Sequence, residues 1–87
     1  MGIPEFTLYL STFCPFCIKV RFFMEQHGIE LPVKNVGDQV VYSEELKVIG
    51  GKTQVPCLVI DGKALYESDD IINWLQENWK PEWTQKT

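Results

Sequence analysis

Cys14 and Cys17 stand three positions apart in TFCPFC, Pro15 directly follows the first of them, and Cys57 is the one other cysteine in the chain. Two thiols at this spacing can act as a structural staple, as half of a metal site, or as a dithiol that closes and reopens. A disulfide between such near neighbours closes almost no loop and so removes little entropy from the unfolded chain. A zinc site needs two further Cys or His ligands. Cys57 and His27 are all that remain, so no metal is expected. A redox-active pair fits best.

The surrounding residues support that chemistry. Proline suits the first helical position, where its missing N–H would be unpaired in any case. Cys14 is therefore expected at or near a helix N-cap, where unpaired amides and the helix dipole favour negative charge on sulfur. The thiolate is the nucleophilic form. Cys17 lies one turn further along the same face, with Cβ atoms about 5–6 Å apart. A disulfide wants roughly 3.5–4.5 Å, so a small adjustment closes it. Cys14 is expected to be the exposed attacker and Cys17 the buried resolver. Cys57 reads as a small apolar core residue.

The elements that must position this pair are legible in outline. Phe6 to Leu10 is rich in strand formers. After Cys14, the residues Phe16, Val20, Phe23, Met24 and His27 recur at helical spacing, and Gly28 supplies a stop. Residues 30–36 read as an edge strand despite Pro32. Residues 43–49 read as a short helix with Leu46 and Ile49 inward, ended by Gly50-Gly51. Residues 57–60 and 63–66 flank Asp61-Gly62, a strong hairpin signal. The last helix is predicted over 68–79, with Ser68 as N-cap, acids in its first turn, and Ile71, Trp74, Leu75 and Asn78 on one face. The order β-α-β-α-β-β-α implies an α/β fold with a mixed four-stranded sheet covered by helices.

Eighty-seven residues make one small domain, 1–87, in which MGIPEF (1–6) reads as a cloning remnant or N-terminal extension. Eight basic against twelve acidic side chains give a net charge of −4, which argues against a nucleic-acid partner. No apolar run approaches the roughly 20 residues that span a bilayer, and no secretory signal pattern opens the chain. Few cysteines, in odd number, point to a reducing compartment, most simply the cytoplasm.

CPFC after a strand, TQVPCL before a hairpin and ESDDI opening the last helix occur in the order seen in glutaredoxins. The stretch GGKTQVPCLVIDGKALYESDDIINWL resembles most the glutaredoxins related to the N-terminal domain of glutathione transferases. The resemblance runs from about Thr7 to Trp79. It implies a thioredoxin-like fold and a glutathione-dependent thiol–disulfide oxidoreductase serving cell redox homeostasis and electron transport. Glutathione would be the co-substrate, and the partners would be glutathionylated or disulfide-containing proteins; a monomer without nucleic-acid or membrane partners is implied.

Carried over by motif, Cys14 resembles the family nucleophile, Cys17 its resolving thiol, and Pro56 its cis-proline. Gln54 and Val55 precede that proline, and Val55 would offer backbone N–H and C=O to the cysteinyl part of glutathione. The amides of Ser68 and Asp69 would hold the γ-glutamyl carboxylate. The Asp69 side chain would meet its ammonium, helped by Glu67. Phe13 and Phe16, with Pro15 between them, would form an apolar rim at the thiols. Many glutaredoxins carry Lys or Arg three residues before the nucleophile, to pair the glycine carboxylate; here Ser11 stands there. Lys52 is the substitute, with Lys19 and Arg21 as alternatives. Three other readings stay open: a glutathione-bridged iron–sulfur carrier using Cys14 from two chains, a glutathione-transferase N-terminal-like binding domain, and a non-catalytic interaction domain.

Overall fold

Phe6–Leu10 forms the inner strand β1, and its side chains are divided between two cores. The computed structural model describes residues 3–83. Along β1, Phe6, Leu8 and Leu10 face one layer and Tyr9 the other, as the two-residue period of a strand requires. The strand is therefore buried on both sides.

The elements follow in the expected order: α1 (Pro15–Gln26), β2 (Val33–Asn35), α2 (Val40–Gly50), β3 (Cys57–Ile60), β4 (Lys63–Tyr66) and α3 (Ser68–Asn78), then a 3-10 turn over Pro81–Trp83. The sheet order is β2-β1-β3-β4. β1 runs parallel to β2, pairing Leu8 with Val33, and antiparallel to β3, pairing Leu8 with Leu58. β3 and β4 form the antiparallel hairpin, and the fold is thioredoxin-like with a mixed four-stranded sheet and three α-helices. Its turn residues Asp61 and Gly62 both have positive φ, 50° and 83°. That is the backbone twist a two-residue hairpin needs, and the reason Asp-Gly is the signal for one.

One core, between the sheet and the α1–α3 layer, gathers Leu8, Leu10, Cys17, Val20, Leu58, Ile71 and Leu75. The other gathers Tyr9, Leu46, Cys57 and Val59. α1 ends in a left-handed Gly28, φ 65°, with the Ile29 amide donating to the Met24 carbonyl at 2.8 Å. Ile29 and Met24 are both buried, which completes a Schellman stop. Glu5, assigned from sequence to the N-terminal extension, is built into the fold, as is Phe6, which the sequence also placed at the start of the first strand. The Glu5 amide donates to Asp61 Oδ1 and the Glu5 carbonyl accepts from the Asp61 amide, each at 2.8 Å. Phe6 packs against Trp74, Trp79 and Trp83, with ring centroids 5.8, 5.1 and 5.8 Å away.

Three boundaries differ from the sequence reading. β2 is confined to Val33–Asn35, because Pro32 has no amide to pair and Leu31 turns into the core. α2 begins at Val40, three residues before the expected Ser43, and Ile49 is 38% exposed rather than inward. Val40 and Val41 are β-branched and exposed, so neither propensity nor burial marks them as helical. The cap of α3 is Glu67; Ser68 is already helical, and Asn78, the last residue of the helix, is exposed although it shares the Ile71–Leu75 face.

Candidate active site

Cys14 caps α1 in an extended conformation, with φ −121° and ψ 111°, and Pro15 occupies the first turn. The Cys17 amide donates to Cys14 Sγ at 3.3 Å. The helix ladder starts one residue later, with the Ile18 amide donating to the Cys14 carbonyl at 2.9 Å. An orphan N–H of the first turn is thus spent on the sulfur. The Cys14 thiol lies 3.9 Å from the Val55 carbonyl, to which it donates when protonated.

All three cysteines are free thiols; Cys14 is half-buried, whereas Cys17 and Cys57 are fully buried. Burial pushes the Cys17 thiol up to about 11, its hydrogen bond to Cys14 adding to the rise and bonds to Ser11 opposing it. Burial likewise pushes Cys57 up to about 11. Around neutral pH both therefore remain protonated.

Beside the thiols lies a groove of about 330 Å³ lined by Phe16, Gln54, Val55, Pro56, Glu67, Ser68 and Asp69. It brings together seven of the residues assigned from sequence, drawn from α1, the loop before β3 and the start of α3. The Val55–Pro56 peptide is cis. At the far wall the α3 ladder begins with the Ile71 amide donating to the Glu67 carbonyl at 3.0 Å. The amides of Ser68, Asp69 and Asp70 precede that bond, so they stand outside the ladder at the positive end of the helix.

Phe13, Pro15 and Lys52 are not among the residues lining the groove. Phe13 is 94% exposed and lines a separate depression with Ser11, Thr12, Asn35, Gly37 and Asp38. Pro15 is exposed in the first turn of α1. Lys52 sits over the Tyr66 ring, 4.6 Å from its centroid, while its carbonyl accepts from the Tyr66 hydroxyl at 2.9 Å. The cation is drawn to the ring face by its quadrupole. Of the alternatives, Lys19 is ion-paired with Asp69, and Arg21 lines a different depression with Met24 and Glu25.

Three features escaped the sequence. Glu67 holds φ 73° and ψ 121°, a region few non-glycine residues adopt and one that concentrates at functional sites. The Gln54 amide nitrogen donates to its carboxylate at 2.9 Å, joining two walls of the groove. Only a glycine at 67 would have flagged that backbone. The Lys19–Asp69 pair was invisible because it bridges elements fifty residues apart.

Comparison with known proteins is consistent with this geometry. The family model of the glutathione S-transferase N-terminal domain matches residues 8–83. Glutaredoxin 1 of Rickettsia prowazekii is 30% identical over 73 residues, covering 80% of this chain and 76% of that protein. A glutaredoxin-like 8.6 kDa protein of Clostridium pasteurianum is 28% identical over 58 residues, covering 67% and 77% respectively. Among solved structures, glutathione transferase Omega 3C from Trametes versicolor superposes with a TM-score of 0.72 at 28% identity, over 84% of this chain and 33% of that one. The holo form of glutaredoxin C1 from Populus tremula x tremuloides shares the fold, with a TM-score of 0.66 at 23% identity over 85% of this chain and 76% of that one. With an N-capping cysteine one turn ahead of a buried partner, and these relatives, the chain belongs to the glutaredoxin family of thiol–disulfide oxidoreductases, on the side of it that is similar to the N-terminal domain of glutathione S-transferases.

Proposed function

We propose that this chain reduces glutathione mixed disulfides and protein disulfides at the expense of glutathione, with Cys14 as nucleophile and Cys17 as resolving thiol. The observation that carries the reading is the Cys17 amide directed at Cys14 Sγ, at the edge of a groove ending in the amides of α3. The groove suits a tripeptide with an anionic amino-acid end. Val55 offers backbone groups to the cysteinyl part, the amides of Ser68 and Asp69 receive the γ-glutamyl carboxylate, and the Asp69 carboxylate meets the ammonium.

In the first step the Cys14 thiolate attacks the glutathione sulfur of a mixed disulfide. A Cys14–glutathione bond forms, the substrate S–S bond breaks, and the substrate leaves as a thiolate that takes a proton from water. A second glutathione thiolate then attacks the glutathione sulfur on Cys14, giving oxidised glutathione and free Cys14. With a protein disulfide, Cys14 first forms a mixed disulfide with one substrate sulfur. Cys17 then loses its proton and attacks Cys14 Sγ, releasing the reduced protein, and two glutathiones reopen the Cys14–Cys17 bond. Family potentials of about −200 to −230 mV allow the glutathione pool of a reducing compartment, the cytoplasm most simply, to do this.

The test is turnover of the cysteine–glutathione mixed disulfide in the presence of glutathione, NADPH and glutathione reductase. Cys14→Ala should abolish turnover, whereas Cys17→Ser should leave much of it. Equal loss in the two variants breaks the assignment. A second reading, a glutathione-transferase N-terminal-like binding domain, is favoured by the family model matched over residues 8–83. Conjugation of glutathione to a model electrophile, with no mixed-disulfide turnover, would select it.

A further inference from the structure

Every charged side chain that lines the groove is a carboxylate: Glu67 and Asp69. The depression lined by Ser11, Thr12 and Phe13, the three residues before Cys14, has Asp38 as its one charged member. Three cations stand near enough in sequence to balance these acids, and the structure commits each of them. Lys19 is ion-paired with Asp69. Lys52 lies over the Tyr66 ring, and Arg21 lines a different depression with Glu25 and Glu30. Glu67 accepts from the Gln54 amide, a neutral donor that leaves its negative charge in place. Among the described residues, then, neither recess is lined by a base, and each is lined by an acid.

Glutathione brings two carboxylates and one ammonium to such a site. Its γ-glutamyl carboxylate has the α3 amides, and its ammonium has the acids at the start of that helix. The glycine carboxylate, at the other end, has no counter-charge. Whichever recess receives it, it meets an acid, Glu67 in one and Asp38 in the other. We infer that the site favours a γ-glutamyl thiol whose far end is uncharged, an ester or amide in place of the free carboxylate, over glutathione itself. This rests on the oxidoreductase reading above and narrows its co-substrate. The exchange chemistry is the same for both thiols, since the glycine end takes part in no bond made or broken at sulfur. The difference is electrostatic. Like charges at an exposed surface repel weakly, by an amount worth about a few-fold in rate or affinity, and salt screens the repulsion.

The test is a competition at Cys14. The Cys17→Ser chain, which retains the glutathionylated intermediate, is exposed briefly to equal amounts of two mixed disulfides of cysteine. One is with glutathione and the other with its glycine ethyl ester, and intact mass reads the ratio of the two adducts. The ester adduct should lead by about threefold at low ionic strength and fall towards parity in high salt. Adding Glu67→Gln/Asp38→Asn should remove most of that lead, whereas adding Lys52→Met should leave it as it is. Equal adducts at low salt, or a lead for glutathione, overturn the inference. So does an ester lead that survives high salt or the two acid substitutions. A lead that grows on Lys52→Met overturns it as well, because Lys52 is then the base that holds the carboxylate. If neither disulfide modifies Cys14, the oxidoreductase reading itself fails and the inference falls with it; if both do, that reading stands and the ratio alone decides.

Discussion

Lys19 on α1 is ion-paired with Asp69, the acid in the first turn of α3 that also lines the groove. The pair therefore occupies the carboxylate proposed to receive the γ-glutamyl ammonium, and the two cations compete for it. Exposed pairs of this kind are worth at most about 1 kcal/mol. Lys19→Met is expected to lower KM for the cysteine–glutathione mixed disulfide by about two- to fivefold at low ionic strength, an effect that added salt shrinks. Steady-state kinetics at two salt concentrations decide it. A raised KM would instead make Lys19 an anchor for a substrate carboxylate.

The buried thiols predict a labelling pattern. Cys17 and Cys57 are pushed up to about 11, so near neutral pH their reactive thiolate fraction is minute. Iodoacetamide on the folded protein should stop at one adduct, on Cys14, by intact mass and peptide mapping. Two or three adducts at neutral pH would contradict the burial described above.

The same thiols predict alkaline weakening. In the unfolded chain they ionise near the ordinary 9.0, but in the folded chain only near 11. Between those values the native state holds more protons than the unfolded one, so stability falls as pH rises. It is fully present below about pH 9 and lost through about pH 11. Denaturant midpoints measured across that window should drop, and Cys57→Ala, though less stable at neutral pH, should show a shallower decline. Parallel curves would rule Cys57 out as a contributor.

Glu45 works at the other end of the scale. It accepts from Lys34 Nζ at 2.7 Å and from the Tyr9 hydroxyl at 2.9 Å. The Lys34 bond first, and the Tyr9 bond second, hold its carboxyl below the ordinary 4.5. Its stabilising contribution is therefore present above about 4.5 and is lost as pH falls through the native value. Glu45→Gln should lower the denaturant midpoint at neutral pH and flatten its acid-side decline; an unchanged acid limb would show that other carboxylates dominate.

Gly50 is required for lack of space. A Cβ there would sit 2.0 Å from the Tyr66 hydroxyl oxygen and 2.9 Å from the Ala64 Cβ. Gly50→Ala should cost about 1–3 kcal/mol in chemical denaturation, the usual range for overpacking. In a Tyr66→Phe background, where the nearest oxygen is gone, the cost should be smaller. Strict additivity would show that the Tyr66 hydroxyl is not what the methyl meets.

What could be read from the sequence was decided locally. Pro15 after Cys14, Asp61-Gly62 between apolar runs, and Gly28 after a helical period each have one good backbone solution, and the fold adopts it. Gln54–Pro56 and Glu67–Asp69 were grouped through the resemblance to glutaredoxins, and they line one groove. What the sequence did not show depended on distant partners or on exposure. Lys52 is held by a ring on β4, and Phe13 stands out in solvent beyond the groove. Val40 and Val41 are helical without burying their side chains, and the cap of α3 fell one residue early, on a Glu that leaves no trace in sequence of its positive φ.

Trp74, Trp79 and Trp83 all gather on Phe6, and none of them lines the groove. The indoles of this chain are thus assembled around the first strand and the final turn rather than around the sulfurs. Their emission should track the seating of that turn against β1 and shift sharply on unfolding, while staying nearly silent to oxidation of the dithiol. Fluorimetry on this protein is a gauge of folding that thiol chemistry does not contaminate.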